Sequence, residues 1–499
     1  MHHETILSRA TEQVLQPIDR FYQSVARNRD AVAVAGTADG DVTYAGLARA
    51  VDAVAAAFQE RDGAAGSRVG ICLSNSYEHL VALLATYAAG KVWVPLGFRN
   101  ARAELDAMIA ATRPSILIDD AAAIRKMIAE YDGKTPARAE RGAEDPQIIK
   151  FSGGSTGAPK AVVQSQRCVN AQADGLRDFF EFQSDDVNLI AAPLTHGASC
   201  FVLPMLEVGG THVLVESAKP EIIFDAITAH GVTTIYAPPT LLYALIDHPR
   251  APAYTRGKSS SLRHVIYSAA PMPPQRIRDC QSALGPVIET AYGQVEAPQI
   301  ISAMRADELL IEENLLSVGR PSPVVTVGIV SATGELLPSG EVGEIVVSGP
   351  LVMSGYLDRE EETARTIVDG WLHTGDIGTI DDRGYLFIRG RLREVINTGG
   401  FKVYPADVEA CLAKHRAVEE CAVFGMPDAK WGDAVNAAVV VREEMDVSAE
   451  NLIAWVKAEL GSVKAPKRIW FVDHLERNAA GKVSRGGVRA RIISSNVAQ

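Results

Sequence analysis

Short apolar runs separated by longer stretches of helical periodicity recur through most of this chain, and that alternation restricts its fold more than any other feature. Between 18 and 145 it predicts an alanine-rich amphipathic helix over 47–60, a buried strand over 69–73 and a helix over 76–89. Strands over 92–96 and 116–118 follow, and residues 130–146, polar and broken by Gly and Pro, read as a surface connection. Strand candidates at 188–192, 211–215, 233–236 and 264–267 continue the pattern, with helical segments between them. Strands that alternate with helices build sheets covered by helices, so the chain is read as α/β. From 318 to 347 the spacing tightens into short strands with Gly and Pro turns, a small all-β portion. Helical patterning returns near Glu360, and 371–389 reads as strands around the turn Asp381, Asp382, Arg383, Gly384. The last part, with helices at 406–414 and 449–460 and a strand at 437–441, has the make-up of an α+β unit able to fold alone. The expected division is 1–390, a connection at 391–393 and a smaller unit at 394–499.

Residues 151–163, FSGGSTGAPKAVV, stand out chemically. Gly153, Gly154 and Gly157 lie among the hydroxyls of Ser152, Ser155 and Thr156, and Pro159 and Lys160 close the run. Glycines let successive backbone N–H groups converge on an anion, hydroxyls add neutral donors, and a lysine supplies a point charge suited to a polyphosphate. A flexible Gly/Ser linker is the plain alternative. The flanks favour the anion loop, because 148–151 reads as a strand entering it and 161–163 as a strand leaving it. It is not a Walker A loop, which needs Gly-Lys-Ser/Thr opening a helix; here Pro159 precedes the lysine and Ala161 follows it.

At 499 residues the chain is too long for one ordinary core. A hydrophobic share of 47% against 22% charged, with no long polar tract, leaves little room for disorder away from the termini. The net charge of −12 disfavours a general nucleic-acid or membrane-surface role, while local Lys and Arg can still hold a nucleotide. Cys72, Cys168, Cys200, Cys280, Cys411 and Cys421 show no CxxC pair and no zinc or disulfide-framework spacing, so reduced thiols in a cytoplasm are expected. No basic-then-apolar leader opens the sequence, and the most apolar long window, 79–98, is broken by Gly90 and Lys91, which supports neither secretion nor membrane insertion.

Downstream of the glycine loop stand Tyr292-Gly293-Gln294-Val295-Glu296, His373-Thr374-Gly375-Asp376, Gly390-Arg391 and Asn478-Ala479-Ala480-Gly481-Lys482-Val483. In this order they resemble the adenylate-forming superfamily of acyl- and aryl-CoA synthetases, peptide-synthetase adenylation domains and firefly luciferase, over residues from about 30 to 490. The resemblance implies a large multi-layer N-terminal domain and a smaller, mobile α+β C-terminal domain that rotates about a hinge at Arg393. It implies an AMP-forming acid:CoA ligase: a carboxylic acid and ATP give an acyl-adenylate and pyrophosphate, and coenzyme A then takes the acyl group. A carrier-protein phosphopantetheine acting in trans is the alternative acceptor, and a non-catalytic acyl-nucleotide sensor is the alternative of another class.

Joining two anions requires cations and donors that neutralise charge and align the groups in line. The resemblance assigns Ser152, Gly153, Gly154, Ser155, Thr156, Gly157 and Lys160 to the pyrophosphate cradle, Glu296 to magnesium, and Lys482 to a bridge between the α-phosphate and the attacking carboxylate. It assigns Asp376, with Arg391 beside it, to the ribose hydroxyls. Ala269, Ala270 and Pro271 lie along one adenine face, and Tyr292, between Ala291 and Gly293, stacks on the other. Gly399, Gly400, Phe401 and Lys402 face the thiol channel of coenzyme A. His196 stands at the mouth of an acyl pocket lined by Tyr236, Ala237, Ser268, Pro298 and Gln299. Read without the resemblance, Lys482 is a surface lysine, Asp376 a turn aspartate, and Tyr292 and His196 core residues. Lys464, Lys467 and Arg468 are either a site for the coenzyme's phosphates or a solvated face.

Two positions depart from the family pattern: Val295 replaces the usual threonine before Glu296, and Arg393 stands where Asp or Lys is usual at the hinge. The pocket set is small and mostly apolar with no evident buried cation, which disfavours a dicarboxylate and leaves aromatic, alicyclic and medium-chain acids. Expected partners are ATP, Mg2+, coenzyme A and a small carboxylic acid, with no nucleic acid and no stable membrane insertion. Self-association into a homodimer is left open.

Overall fold

The alternation builds two α/β sheets that share one layer of helices, in a computed structural model that describes residues 15–152, 159–254, 260–477 and 483–497. Successive strand residues point to opposite faces, and the burial follows. Ile190 joins a core with Phe58, Leu83 and Trp93, while its neighbour Leu189 packs with Phe224 and Leu242. Trp93 and Ile148 face the same shared core, and Val94 and Ile149 face away from it towards Met108. The helices Tyr44–Arg61, Tyr77–Ala88 and Gln166–Phe180 therefore fill the middle layer. Pro220–His230, Pro239–Ile246 and Pro274–Leu284 cover the outside of the larger sheet, and Arg102–Thr112 the outside of the other. Side-chain caps start the central helices where the pattern changes: Thr43 accepts from the Gly46 N–H and Ser76 from the His79 N–H.

The larger sheet has nine strands. Ile288–Tyr292, His264–Tyr267, Thr234–Ala237, Val187–Ile190, Thr211–Leu214 and Val32–Thr37 run parallel in that order, and antiparallel strands close both edges. One closing strand, Arg320–Pro321, lies within the stretch expected to belong to the small β portion; it instead pairs with Ser302–Met304 of this sheet. Gly319 makes that pairing feasible. Its φ is +89°, and a Cβ there would lie 1.9 Å from the Ala303 carbonyl oxygen. Backbone atoms on both sides cannot yield as a side chain can, so Gly319→Ala costs at least about 1–3 kcal/mol. A thermal unfolding midpoint equal to that of the wild type would contradict this.

The second sheet has six strands, with Pro146–Ser152 and Lys160–Ser165 pairing as an antiparallel hairpin in which Ser152 faces Lys160. The expected turn between strands is thus in place at its two ends, while Gly153, Gly154, Ser155, Thr156 and Gly157 lie outside the described residues. Residues 131–145 hold no helix or strand, yet they are tied down: Gln59 Nε2 donates to the Ala137 carbonyl at 2.8 Å, and Arg138 pairs with Asp19 at 2.7 Å. A third sheet joins Thr326–Val330, Gly343–Ser348, Trp371–Ile380 and Leu386–Arg391, the small β portion, with a short strand, Ile367–Val368, on its edge. Residues from 396 onward fill two cores of their own around the long pair Val418–Asp428 and Gly432–Val441. The helices Pro405–Ala413 and Ala449–Leu460 match the sequence pattern closely.

Candidate functional site

Four adjoining parallel strands end on one edge of the large sheet, and the residues that follow them are those the sequence motifs single out. Ala237 ends one strand and Tyr292 another, Ser268 and Ala269 follow His264–Tyr267, and His196 follows Val187–Ile190 after a short connection. Ligands of open α/β sheets bind beyond these carboxyl ends. The backbone there is strained: Ala269 has φ +78° and Gln299 φ +66°, left-handed values that cost a non-glycine residue energy and cluster at functional sites. Gly293 packs against Gln299 so closely that a Cβ would meet the Gln299 nitrogen at 2.3 Å.

Asp376 is the centre of the polar network. It is 3% exposed and comes from Trp371–Ile380 of the third sheet, opposite Arg391 in the antiparallel register. Its Oδ1 pairs with Arg391 Nε at 2.7 Å. Its Oδ2 accepts from the Tyr292 hydroxyl at 2.6 Å and from Gln294 Nε2 at 2.9 Å. Burial, and then the Asp376 charge, push the Tyr292 phenol well above its ordinary pKa, so it remains a donor. Gln294 also donates to the Thr374 carbonyl at 3.0 Å, which locks the two motifs together. Its signal was present in the sequence, since it stands inside the Tyr292–Glu296 motif, yet the motif reading passed over it.

Glu296 is half-buried and accepts from the Tyr356 hydroxyl at 3.1 Å. Two backbone contacts hold the same segment: Gln164 Nε2 donates to the Val295 carbonyl at 2.8 Å, and the Met353 N–H to the Glu296 carbonyl at 2.8 Å. Lys160, at the exit of the glycine loop, stands 4.8 Å from the centre of the Tyr356 ring. Its ammonium meets Glu362 at 2.5 Å, and that contact holds the Glu362 carboxyl below its ordinary range. A polyphosphate that recruits Lys160 would therefore compete with Glu362. Among the described residues no cluster of three or more His, Cys, Asp or Glu could hold a metal. Magnesium carried by nucleotide phosphates needs only one or two carboxylates, and Glu296 is suited to that.

The residues expected to line the acyl pocket, Tyr236, Ala237, Ser268, Pro298 and Gln299, are all buried. The Tyr236 ring stacks on Phe201 at 5.2 Å, with Ser268 and Gln299 as polar neighbours. A half-buried cation, Lys150, stands against the turn that follows His196. From the strand Pro146–Ser152 it reaches the His196 carbonyl at 3.0 Å and Ser199 Oγ at 3.2 Å. Its pattern position was the missed signal: it shares the inward face with Ile148, and a charge on that face is unusual. Desolvation of the ring, and then Lys150, lower His196 to a pKa of about 4, so its imidazole is neutral at pH 7. Asn75 fixes the approach to His196, accepting from the Leu194 N–H at 2.9 Å and donating to the Ala192 carbonyl at 2.9 Å.

Other sequence candidates lie elsewhere. Gly399 and Gly400, both at positive φ, form the two-residue turn between Ile396–Thr398 and Phe401–Val403, with Phe401 60% exposed. No hydrogen bond or ion pair among the described residues joins Gly399, Gly400, Phe401 or Lys402 to the Asp376 network. Lys464 pairs with Asp407 at 3.4 Å, and Lys467 Nζ donates to the Ser462 carbonyl at 2.8 Å. Lys482 lies outside the described residues.

Comparison with known proteins matches 21–357 to the AMP-binding enzyme family and 407–482 to the AMP-binding enzyme C-terminal domain. The chain is 35% identical to a feruloyl-CoA synthase of Amycolatopsis sp, over 92% of its own length and 95% of the relative's. It is 34% identical to a 3-[(3aS,4S,7aS)-7a-methyl-1,5-dioxo-octahydro-1H-inden-4-yl]propanoyl:CoA ligase of Rhodococcus jostii (strain RHA1), covering 91% and 94%. Among solved structures it resembles an amide bond synthetase from Marinactinospora thermotolerans, with a TM-score of 0.86 and 32% identity over 96% of this chain and 100% of that one. ATP-bound MatB from Rhodopseudomonas palustris gives 0.87 at 28% identity, over 97% and 100%.

Proposed function

The chain belongs to the family of AMP-binding enzymes, and from that premise we propose how its residues divide the work of an acid:CoA ligase. The reaction activates a carboxylic acid with ATP, releasing pyrophosphate, and passes the acyl group to coenzyme A, releasing AMP. Relatives named as CoA ligases and synthases over nine-tenths of the chain favour free coenzyme A over a carrier protein. The observation that carries the site reading is the buried Asp376 carboxylate, held by Tyr292, Gln294 and Arg391 where four parallel strands end.

In this reading Asp376 accepts the ribose hydroxyls, and Ala269, Ala270 and Pro271 line the adenine with Tyr292. The hydrogen bond from Tyr292 to Asp376 couples the orientation of the ring to that of the carboxylate. Glu296 is the carboxylate for magnesium, which when bound neutralises phosphate charge. Lys160 and the loop 153–157 hold the phosphates, and Lys482 meets the α-phosphate. His196, neutral at pH 7, lets the acid's carboxylate enter without trapping it in an ion pair. Gly399, Gly400, Phe401 and Lys402 serve the coenzyme. The six cysteines are all free, which supports a reducing cytoplasm, and no described helix is long and apolar enough to cross a membrane. Incubation with ATP, free coenzyme A and a carboxylic-acid library tests the reading. It expects AMP, pyrophosphate and an acyl-CoA, and adenylate formation without any thioester would overturn the second step.

Arg393 sits between two anchors: Arg391 is held by Asp376, and Glu394 by Arg485 of the C-terminal helix at 2.5 Å. A rotation of the C-terminal unit falls on the short turn Leu392–Glu394 between them. Arg393→Pro pins φ near −65° and removes a backbone donor, which should trap one pose. Pyrophosphate exchange should survive within about tenfold, about 1.4 kcal/mol, while thioester formation from supplied adenylate drops much further. Survival of both half-reactions would place the rotation elsewhere.

A further inference from the structure

Asp376 is presented by a break in its own sheet. Where Trp371–Ile380 pairs with Gly343–Ser348, Glu344 stands opposite Ile377 and Val346 opposite His373. Thr374, Gly375 and Asp376 therefore all face Ile345, where a regular antiparallel ladder would set one residue against one. The strand bulges there and carries the carboxylate out of the ladder, the use to which bulges beside functional sites are put. Gly375 makes the detour at φ +67°, in the left-handed region that glycine enters without strain.

A bulge takes backbone groups out of the ladder, and each then needs another partner. Thr374 Oγ1 serves two of them, donating to the Ile345 carbonyl at 2.7 Å and accepting from the Asp376 N–H at 3.0 Å. Gln294 serves the Thr374 carbonyl. The Gly375 N–H donates to Glu344 Oε1 at 3.0 Å, and His373 Nδ1 lies 2.9 Å from the other oxygen of the same carboxylate. One side chain thus grips the bulge on both sides of Thr374. Glu344 is half-buried and stands 31 positions before Gly375, outside every sequence motif of the site.

We propose that Glu344 is a positioning residue for nucleotide binding: by holding the Gly375 N–H and His373 it fixes the bulge, and with it the aim of the Asp376 carboxylate at the ribose hydroxyls. It acts through Asp376 and not on the nucleotide. A binding group has to be held to within about 0.5 Å of its working place by the residues behind it, and a bulge released at Gly375 has the freedom of a glycine backbone. The proposal rests on the reading that Asp376 takes the ribose, and adds to it the residue that aims the carboxylate.

The test is Glu344→Leu on the full chain, read by initial rates of pyrophosphate release with ATP varied at saturating acid and acid varied at saturating ATP. The KM for ATP should rise by about five- to tenfold, while kcat and the KM for the acid stay within about twofold, because a ribose contact is made in ground and transition states alike. Glu344→Gln keeps an oxygen for the Gly375 N–H and should hold the KM for ATP within about threefold of the wild type. In an Asp376→Ala background Glu344→Leu should add less than about twofold, since the group it aims is gone. If Glu344→Leu does not yield folded protein, Glu344→Thr, too short to reach Gly375, carries the same expectations. An unchanged KM for ATP overturns the proposal. So does a fall in kcat with both KM values shifted alike, or an effect that persists in full beside Asp376→Ala; either reduces Glu344 to general support of the third sheet. If Asp376→Ala by itself leaves the ATP dependence unchanged, the ribose reading fails and the proposal falls with it.

Discussion

Lys482→Ala should slow adenylate formation by about 10²–10³-fold, about 3–4 kcal/mol, while thioester formation from supplied acyl-adenylate stays largely intact. The lysine stands in Asn478-Ala479-Ala480-Gly481-Lys482, outside the described residues, and its flanks are well anchored. Arg477 and Val483 pair across an antiparallel bridge, and Arg477 meets Glu420 at 2.5 Å. The attack of a carboxylate on the α-phosphorus joins two anions, so a cation at that point stabilises the transition state more than the ground state. In the second step the phosphate is a leaving group and the nucleophile a thiol, and on the two-pose proposal the C-terminal unit then turns this segment away. Measuring pyrophosphate exchange and thioester formation separately checks the expectation, and equal losses in both would sink the two-pose account.

Asp376→Ala should raise the KM for ATP by about ten- to a hundredfold, about 1–3 kcal/mol, and the KM for the acid much less. The carboxylate holds the Arg391 guanidinium and accepts from both Tyr292 and Gln294, so its removal leaves three donors, the buried Tyr292 hydroxyl among them, without that acceptor. Contacts to a ribose are made in ground and transition states alike, so the loss appears in binding rather than in kcat. Asp376→Asn, which keeps the size and one acceptor oxygen, should lose less. Steady-state kinetics with ATP varied at saturating acid decides it, and an unchanged ATP dependence would show that the motif match at Asp376 misleads.

Periodicity by itself determined the α/β alternation, the helix Ala449–Leu460 and the strands that enter and leave the glycine loop. Each depends on neighbours a few residues apart, and a repeat of two or 3.6 states directly which face of an element is buried. The order of the motifs likewise pointed to the family. What only the tertiary structure decided is how those motifs meet. Gln294 finds Asp376 across 82 positions, Gln164 finds Val295 across 131 and Tyr356 finds Glu296 across 60. Arg320–Pro321 left the small β portion for the large sheet because Gly319 admits the Ala303 backbone, a fit that no local propensity expresses. Lys150 could be read as one polar residue in a strand until the turn Gly197–Phe201 was set against it and Trp93 brought alongside. The physical reason is reach. A hydrogen bond acts over about 3 Å, and which distant residues come within that distance follows from the order in which strands join a sheet, a property of the whole packed chain.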